Sequence, residues 1–485
     1  MRALLLLFGL LLAQAAFPRE GTAQGAARQP LLPEEVLAAS ERHFPAILKA
    51  LAERQAAAGK VTESLGAFDL VFSADGFDRM AGFYDGTALG GKVVKPLRPL
   101  GAQIYGDYSI SNGDFPIYED EYYTNNGGTA KLGVLFSLLR DRDIDRRRFG
   151  EIDARLALEQ ADLEVMLTKV GVQQRALNAY WRWVAEGRQL AVYENLVAIA
   201  LDREQALERE ISSGRRAEIF LTENRQNITR RQTLATAARR DFLVAANNLA
   251  FYLRDEDGLP LDPPSARLPS AEVLSSLPAP AAPEALDMAG TLERRPELRI
   301  LRTGAERAQQ KLALSENELQ PRLDLNMELA EGFGTLGEGG ASRDGTDAVV
   351  GFTFSVPLER RQAKGRITQA RARLESLRQE QRRVEDQVEI ELRNILLELD
   401  IAQQLMALAQ QDVELSEKMR QAEIRRFEQG ASDFFLVNIR EETAANARIA
   451  FFTALQRTRT AQANFDAATV NLQRLGIGEA ATESP

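Results

Sequence analysis

From about residue 141 to 212 the chain has no proline, and Gly150, Gly171 and Gly187 are its only glycines; from about 360 to 429 the single glycine is Gly365. Both stretches are rich in Ala, Leu, Glu, Gln and Arg, residues that favour helix. Each holds about 70 residues, and at ~1.5 Å per residue such a helix is on the order of 100 Å long. That exceeds any compact domain. Each stretch ends at a glycine turn, Ser213-Gly214 or Gln429-Gly430, and a shorter helical segment returns over about 217–254 and 433–475. Neither return matches the length of its partner. The shortfall is made up if a second helix stacks end to end on each return: the helix from Pro283 on the first, and the helix from Pro33 on the second.

The chain is internally duplicated. Gly133-Val-Leu-Phe-Ser137 aligns with Gly351-Phe-Thr-Phe-Ser355, Ala154-Arg155-Leu156 with Ala372-Arg373-Leu374, Gly214 with Gly430, and Pro45 with Pro296. The first repeat spans 16–282 and ends in a proline-rich belt; the second spans 283–485. Each reads as a helix, strands, and a long helical hairpin. In the second repeat Leu323, Leu325, Met327 and Leu329 alternate with Asp324, Asn326 and Glu328, and Val350, Phe352 and Phe354 alternate with Gly351, Thr353 and Ser355. Phe68, Leu70 and Phe72, then Ala130, Leu132, Val134, Phe136 and Leu138, do the same in the first. One apolar and one polar face fit a half-buried soluble sheet or a membrane barrel with a wet lumen. Two strands per repeat are expected. Residues 75–128 form an insertion in the first repeat, read as either a large external loop or an added hairpin, since Leu100, Ala102, Ile104, Tyr108 and Ile110 alternate with Gln103, Tyr105, Asp107 and Ser109.

Composition removes several function classes. Lys and Arg total 60 against 70 Asp and Glu, a formal charge of −10, so the chain lacks the basic footprint of a nucleic-acid binder. It has no cysteine and one histidine, His43. Disulfides, thiolate chemistry, a lipidated cysteine and sites of two imidazoles are excluded within one chain. No constellation suggests an enzyme, a metal or a cofactor. Gly332-Phe-Gly334-Thr-Leu-Gly337 imitates a dinucleotide motif but opens no helix, so it reads as a hairpin loop. Tyr180-Trp181-Arg-Trp183 reads as packing between helices. Met1-Arg2, an apolar run over 3–13 and Ala13-Gln14-Ala15 have the form of a signal peptide, residues 1–15, implying export.

Gly351-Phe-Thr-Phe-Ser-Val-Pro-Leu358 followed by Gly365-Arg-Ile-Thr-Gln-Ala-Arg371, Arg425-Arg-Phe-Glu-Gln-Gly430 with Asp433, and Arg295-Pro-Glu-Leu298 together resemble the TolC-like outer membrane factors, the outer membrane efflux protein family. The resemblance implies a mainly α fold with a β-barrel part: a homotrimer whose twelve strands form one outer membrane barrel, continued by a long periplasmic α-helical barrel. It implies the duct of a tripartite efflux pump or type I secretion system, embedded in outer membrane lipid. The partners would be a periplasmic adaptor (membrane fusion) protein and an inner-membrane pump. The competing reading is a soluble periplasmic coiled-coil scaffold or adaptor. The resemblance places the periplasmic tip turns and entrance at Gly214, Arg215, Arg216, Phe220, Phe427, Gly430, Ser432 and Asp433. The polar closing network of the family's members is replaced here by Phe220, Phe427, Ser432, Leu436 and Ile439. Asp433 reads either as pairing with Arg215 or Arg216 across neighbouring repeats to help close the entrance, or as a solvated rim charge like both arginines.

Overall fold

The computed structural model describes residues 29–116, 122–277, 287–337 and 345–478. The signal peptide at 1–15 and the helix start expected at Pro283 lie outside the described residues. The chain divides into two compact units: 1–44, 173–283 and 398–464 in one, and 45–172, 284–397 and 465–485 in the other. No helix among the described residues is long and apolar enough to cross a membrane.

In chain order the helices are α1 (Pro33–His43), α2 (Pro45–Leu65), α3 (Arg146–Ser212), α4 (Ile219–Ala250), α5 (Ala271–Ser276), α6 (Met288–Arg294), α7 (Pro296–Asn317), α8 (Arg361–Glu428) and α9 (Phe434–Ala468). Helix α3 has 67 residues and α8 has 68, so each is on the order of 100 Å long. The first helix is broken where the sequence alone suggested continuity. Proline disfavours the α region for the residue before it, and Phe44 before Pro45 is extended at φ −75°, ψ 124°. Arg295 before Pro296 is extended in the same way, at φ −63°, ψ 119°.

In the unit containing the glycine turns, α4 packs along α3. Its buried positions Asn224, Ile228, Arg231, Ala238, Phe242, Ala245 and Leu249 recur at three-, four- and seven-residue spacing, which keeps one stripe on the neighbouring helix. Trp183 stacks on Phe242 with ring centroids 6.2 Å apart, and the buried Tyr180 hydroxyl donates to the Leu31 carbonyl at 2.9 Å. The aromatic run of α3 is therefore interhelical packing. Phe44 stacks on Tyr252 at 5.4 Å and meets Phe251 edge-on at 5.1 Å, so the α1–α2 break lies at the C-terminal end of α4.

In the other unit, Val388 and Leu392 of α8 pack on Ala468, with Met288 and Leu292 of α6 beside them. The Arg295 guanidinium donates to the Ala468 carbonyl at 3.0 Å, so α7 starts where α9 stops. These two junctions reverse the expected pairing: each return helix is met by the first helix of its own half. The X-Pro breaks explain it, because they free the chain to turn at the point where the return helix ends.

The same unit holds one sheet of six antiparallel strands in chain order: β1 (Val71–Asp78), β2 (Gly86–Pro96), β3 (Gln103–Gly113), β4 (Thr129–Ser137), β5 (Arg322–Gly332) and β6 (Thr346–Ser355). Four strands were expected. The insertion is a hairpin, β2–β3, built into the sheet. Of the two readings of 75–128, the added hairpin is the one the fold takes.

Register sorts the side chains cleanly. One cross-strand row runs Phe72, Val93, Gly106, Leu132, Leu329, Ala348; its neighbour on the same face runs Ile104, Val134, Met327, Val350. The opposite face carries the row Ser73, Lys92, Asp107, Lys131, Ala330, Asp347. The apolar face is bare: Phe352 is 78% exposed, Phe72 69% and Leu132 60%. On the polar face the Tyr105 hydroxyl donates to Glu328 at 2.7 Å, its ring covering Gly133, where a Cβ would collide with it.

Candidate functional site

The two glycine turns are the same structure built twice. A helix that stops leaves its last carbonyls unbonded, and a left-handed residue brings the next amides back to them. Gly214 has φ +71° and Gly430 φ +74°. The Gly214 amide donates to the Ile211 carbonyl at 2.9 Å and the Arg215 amide to Glu210 at 2.9 Å. At the other turn the Gly430 amide donates to Phe427 at 3.0 Å and the Ala431 amide to Arg426 at 2.8 Å. Both are Schellman turns, and glycine adopts the left-handed conformation without the strain a side chain brings.

Arg216 joins the two turns. Its Nε donates to Glu210 Oε2 at 2.6 Å, and its guanidinium lies 5.3 Å from the Phe220 ring centroid and 5.5 Å from that of Phe427. A cation facing two aromatic rings in this way is attracted by their π faces. Phe220 in turn meets Phe434 edge-on at 6.4 Å, and Phe434 is 2% exposed, the anchor of the second turn. Phe220 and Phe427 thus come together around one arginine, while Leu436 and Ile439 remain exposed.

The remaining polar residues have local partners. Asp433 accepts a hydrogen bond from the Leu436 amide at 2.8 Å, which makes it the N-cap of α9. Arg215 donates to the Ser213 hydroxyl at 2.8 Å. Ser432 donates to Glu423. Among the described residues neither Arg215 nor Arg216 pairs with Asp433. Of the two readings of Asp433, the ion pair is not made within the chain, because the aspartate is committed to capping a helix and Arg216 to Glu210.

Below the turns lies a cluster that sequence reasoning missed. Arg231 of α4, with a side chain 1% exposed, donates to Glu441 Oε2 at 3.0 Å and to the Leu196 carbonyl at 3.0 Å. Arg203 of α3 also pairs with Glu441, donates to Asn438 Oδ1 at 2.8 Å, and lies 5.2 Å from the Phe434 ring centroid. Burial pushes the Arg231 guanidinium down from its ordinary value, and the Glu441 carboxylate opposes that. The signal was legible: Arg231 occupies a position of the buried stripe three residues after Ile228. A charge inside a helix stripe demands a partner on the facing helix.

No curated protein matches the chain by sequence. The family model for outer membrane efflux proteins matches residues 289–475. In three dimensions the chain is similar to the CmeC outer membrane channel of Campylobacter jejuni, with a TM-score of 0.62 and 12% identity over 93% of this chain and 87% of that one. It is similar to VceC, an outer membrane protein of Vibrio cholerae, with a TM-score of 0.60 and 16% identity over 90% of this chain and 95% of that one. It is also similar to the open state of the MtrE outer membrane channel of Neisseria gonorrhoeae, with a TM-score of 0.63 and 12% identity over 90% of this chain and 88% of that one. Residues 289–475 thus match the outer membrane efflux protein family, and the chain as a whole takes a fold similar to that of these outer membrane channels.

Proposed function

We propose that this chain is the outer membrane component of a tripartite efflux pump or type I secretion system, a passive export duct through the outer membrane and periplasm. Three copies assemble into one channel. Their sheets join into a barrel in outer membrane lipid, and their long helices continue it through the periplasm. The two duplicated halves, 16–282 and 283–485, supply quasi-equivalent parts of the wall. A periplasmic adaptor and an inner-membrane pump dock at the tips, where Gly214 and Gly430 turn the chain and Arg215, Arg216, Phe220, Phe427, Ser432 and Asp433 line the entrance.

One observation carries this reading. A sheet with a bare apolar face and two unpaired edges sits in the same chain as two helices of 67 and 68 residues. In water such a face and such edges are aggregation sites; in lipid, edges must be paired and an apolar exterior is required. A soluble adaptor has no use for either.

Fractionation of cells expressing the full chain tests it. The expected result is a trimer, stable in mild detergent, in the outer membrane fraction. Recovery as a monomer in the soluble periplasm overturns the reading in favour of the scaffold. Co-expression with candidate adaptor and pump pairs, read as restored export, then identifies the system.

A further inference from the structure

We propose that the membrane barrel of this protein has eighteen strands rather than the twelve the family resemblance implies, each copy contributing all six. The free edge of β6 in one copy pairs with the free edge of β1 in the next, and three such seams close the wall. This rests on the trimeric outer membrane reading above and adds a strand count and a seam to it.

The argument turns on the β2–β3 hairpin. Each of its strands has 11 residues, and a strand that crosses a bilayer at a tilt needs about 9–11. Its eleven cross-strand pairs run unbroken from Gly86–Gly113 to Pro96–Gln103. Its side chains continue both faces of the sheet. Val93 and Gly106 fill the apolar row between Phe72 and Leu132, and Gly91 with Tyr108, then Leu89 with Ile110, follow along that face. On the other face Lys92 and Asp107 continue a row with Lys131, alternating in sign. A loop in water has no reason to carry this pattern. A wall between lipid and an aqueous lumen does.

A second observation fixes the level of the hairpin. Its turn, with Leu100 at φ +58° and Gly101 at φ +57°, is bound to the helix side of the sheet. Arg98 pairs with Glu151 of α3 at 3.1 Å and lies 4.7 Å from the Phe68 ring centroid. A Cβ at Gly101 would collide with the Asp141 carbonyl oxygen. The hairpin therefore turns back at the level where the other strands become helices.

Topology allows closure. Six antiparallel strands in chain order leave β1 and β6 running in opposite directions, so the seam between copies is itself antiparallel. Excluding β2–β3 from the wall would require β1 to pair directly with β4, breaking the eight pairs of β1–β2 and the seven of β3–β4. Barrel diameter grows roughly linearly with strand number, so eighteen strands give an outlet about 1.5 times as wide as twelve.

The absence of cysteine makes every introduced thiol unique. In purified trimers reconstituted into liposomes, Leu89→Cys should react only with a lipid-soluble maleimide, and Asp107→Cys with a water-soluble one. Ser73→Cys on β1 combined in turn with Val349→Cys, Gly351→Cys and Thr353→Cys on β6 should give, for one of the three, a covalent trimer on oxidation. Electron cryomicroscopy of the unmodified trimer in nanodiscs should resolve eighteen strands. A membrane trimer with twelve strands, with Leu89→Cys open to water, overturns this proposal alone. Failure to find a membrane trimer at all overturns the underlying reading with it.

Discussion

The glycine turns and the sheet are finished to different degrees within one chain. At the turns nearly every charge named above has a partner: Glu210 holds Arg216, Asp433 caps α9, and Glu441 receives Arg203 and Arg231. In the sheet the apolar face is largely exposed and, among the described residues, both outer strands lack a neighbour on one side. A region that satisfies its own polar groups can hold its form before assembly. A region with open ladders acquires its form from further copies and from the solvent around it. The difference teaches where to look for assembly defects and where for defects of opening.

The sharpest break in that comparison is a charge on the bare face. Leu132→Lys places a cation on the apolar row, at about 2–4 kcal/mol per copy near the bilayer midplane. The trimer should be lost from the outer membrane on native gels. Ser109→Lys, on the opposite face of the same sheet, should leave it intact. Equal loss from both variants would mean that the two faces do not divide lipid from water.

A smaller effect is expected inside the helical unit. Arg231→Met leaves Glu441 with Arg203 alone and should destabilise by about 3 kcal/mol, the low end for breaking a buried pair. Thermal unfolding of the detergent-solubilised trimer would read it. Adding Glu441→Met should cost less than the sum of the single changes, since the Arg231–Glu441 pair can be lost only once.

At the turns, Gly430→Leu puts a side chain on a left-handed residue, a strain of about 1–2 kcal/mol. Nothing lies within 4 Å of a Cβ built there, so the penalty is conformational and not steric crowding. The trimer should persist while export falls, and Gly430→Asn should retain more export than Gly430→Leu. Export by both variants at the level of the parent would remove this turn from the entrance.

The smallest effect is a pH dependence. Glu417 of α8 accepts from Arg420 and pairs with Arg448 of α9 at 3.0 Å. The Arg420 hydrogen bond, helped by Gln421 and Arg448, holds its carboxyl down at about 2. A carboxyl depressed by folding stabilises at pH values above its ordinary range, and that contribution is lost as pH falls through about 2. The pair is partly exposed, so about 1 kcal/mol is at stake. Glu417→Gln should flatten the loss of stability between about pH 4.5 and pH 2, measured by thermal unfolding.

The long helices and their ends were legible because their signals are local. Proline-free helix formers fix α3 and α8, and Gly214 and Gly430 supply the one backbone conformation each turn needs. The strands were legible by alternation, including Ile104–Ile110 in the insertion. Their joining into one sheet was not, because pairing depends on register between segments far apart in the chain. The same limit explains the end-to-end stacking. Pro45 and Pro296 mark where the first helices break, but only the contacts of Phe44 and Arg295 tell which return helix each meets. Arg216 was legible as a charge beside the first glycine turn. Its placement between Phe220 and Phe427 was not, since the two rings come from turns more than 200 residues apart.

The contact between Arg295 and the Ala468 carbonyl has a mechanical meaning. Helix α8 is one covalent rod of 68 residues, whereas α9 and α7 are two pieces meeting at a guanidinium. Two rods stacked end to end bear compression much as one does. They have no shared backbone to carry torque, so side-chain contacts alone couple the rotation of one piece to the other. Twisting α8 strains a continuous ladder of hydrogen bonds, while turning α9 against α7 disturbs the Arg295 bond and the packing of Ala468 on Val388 and Leu392.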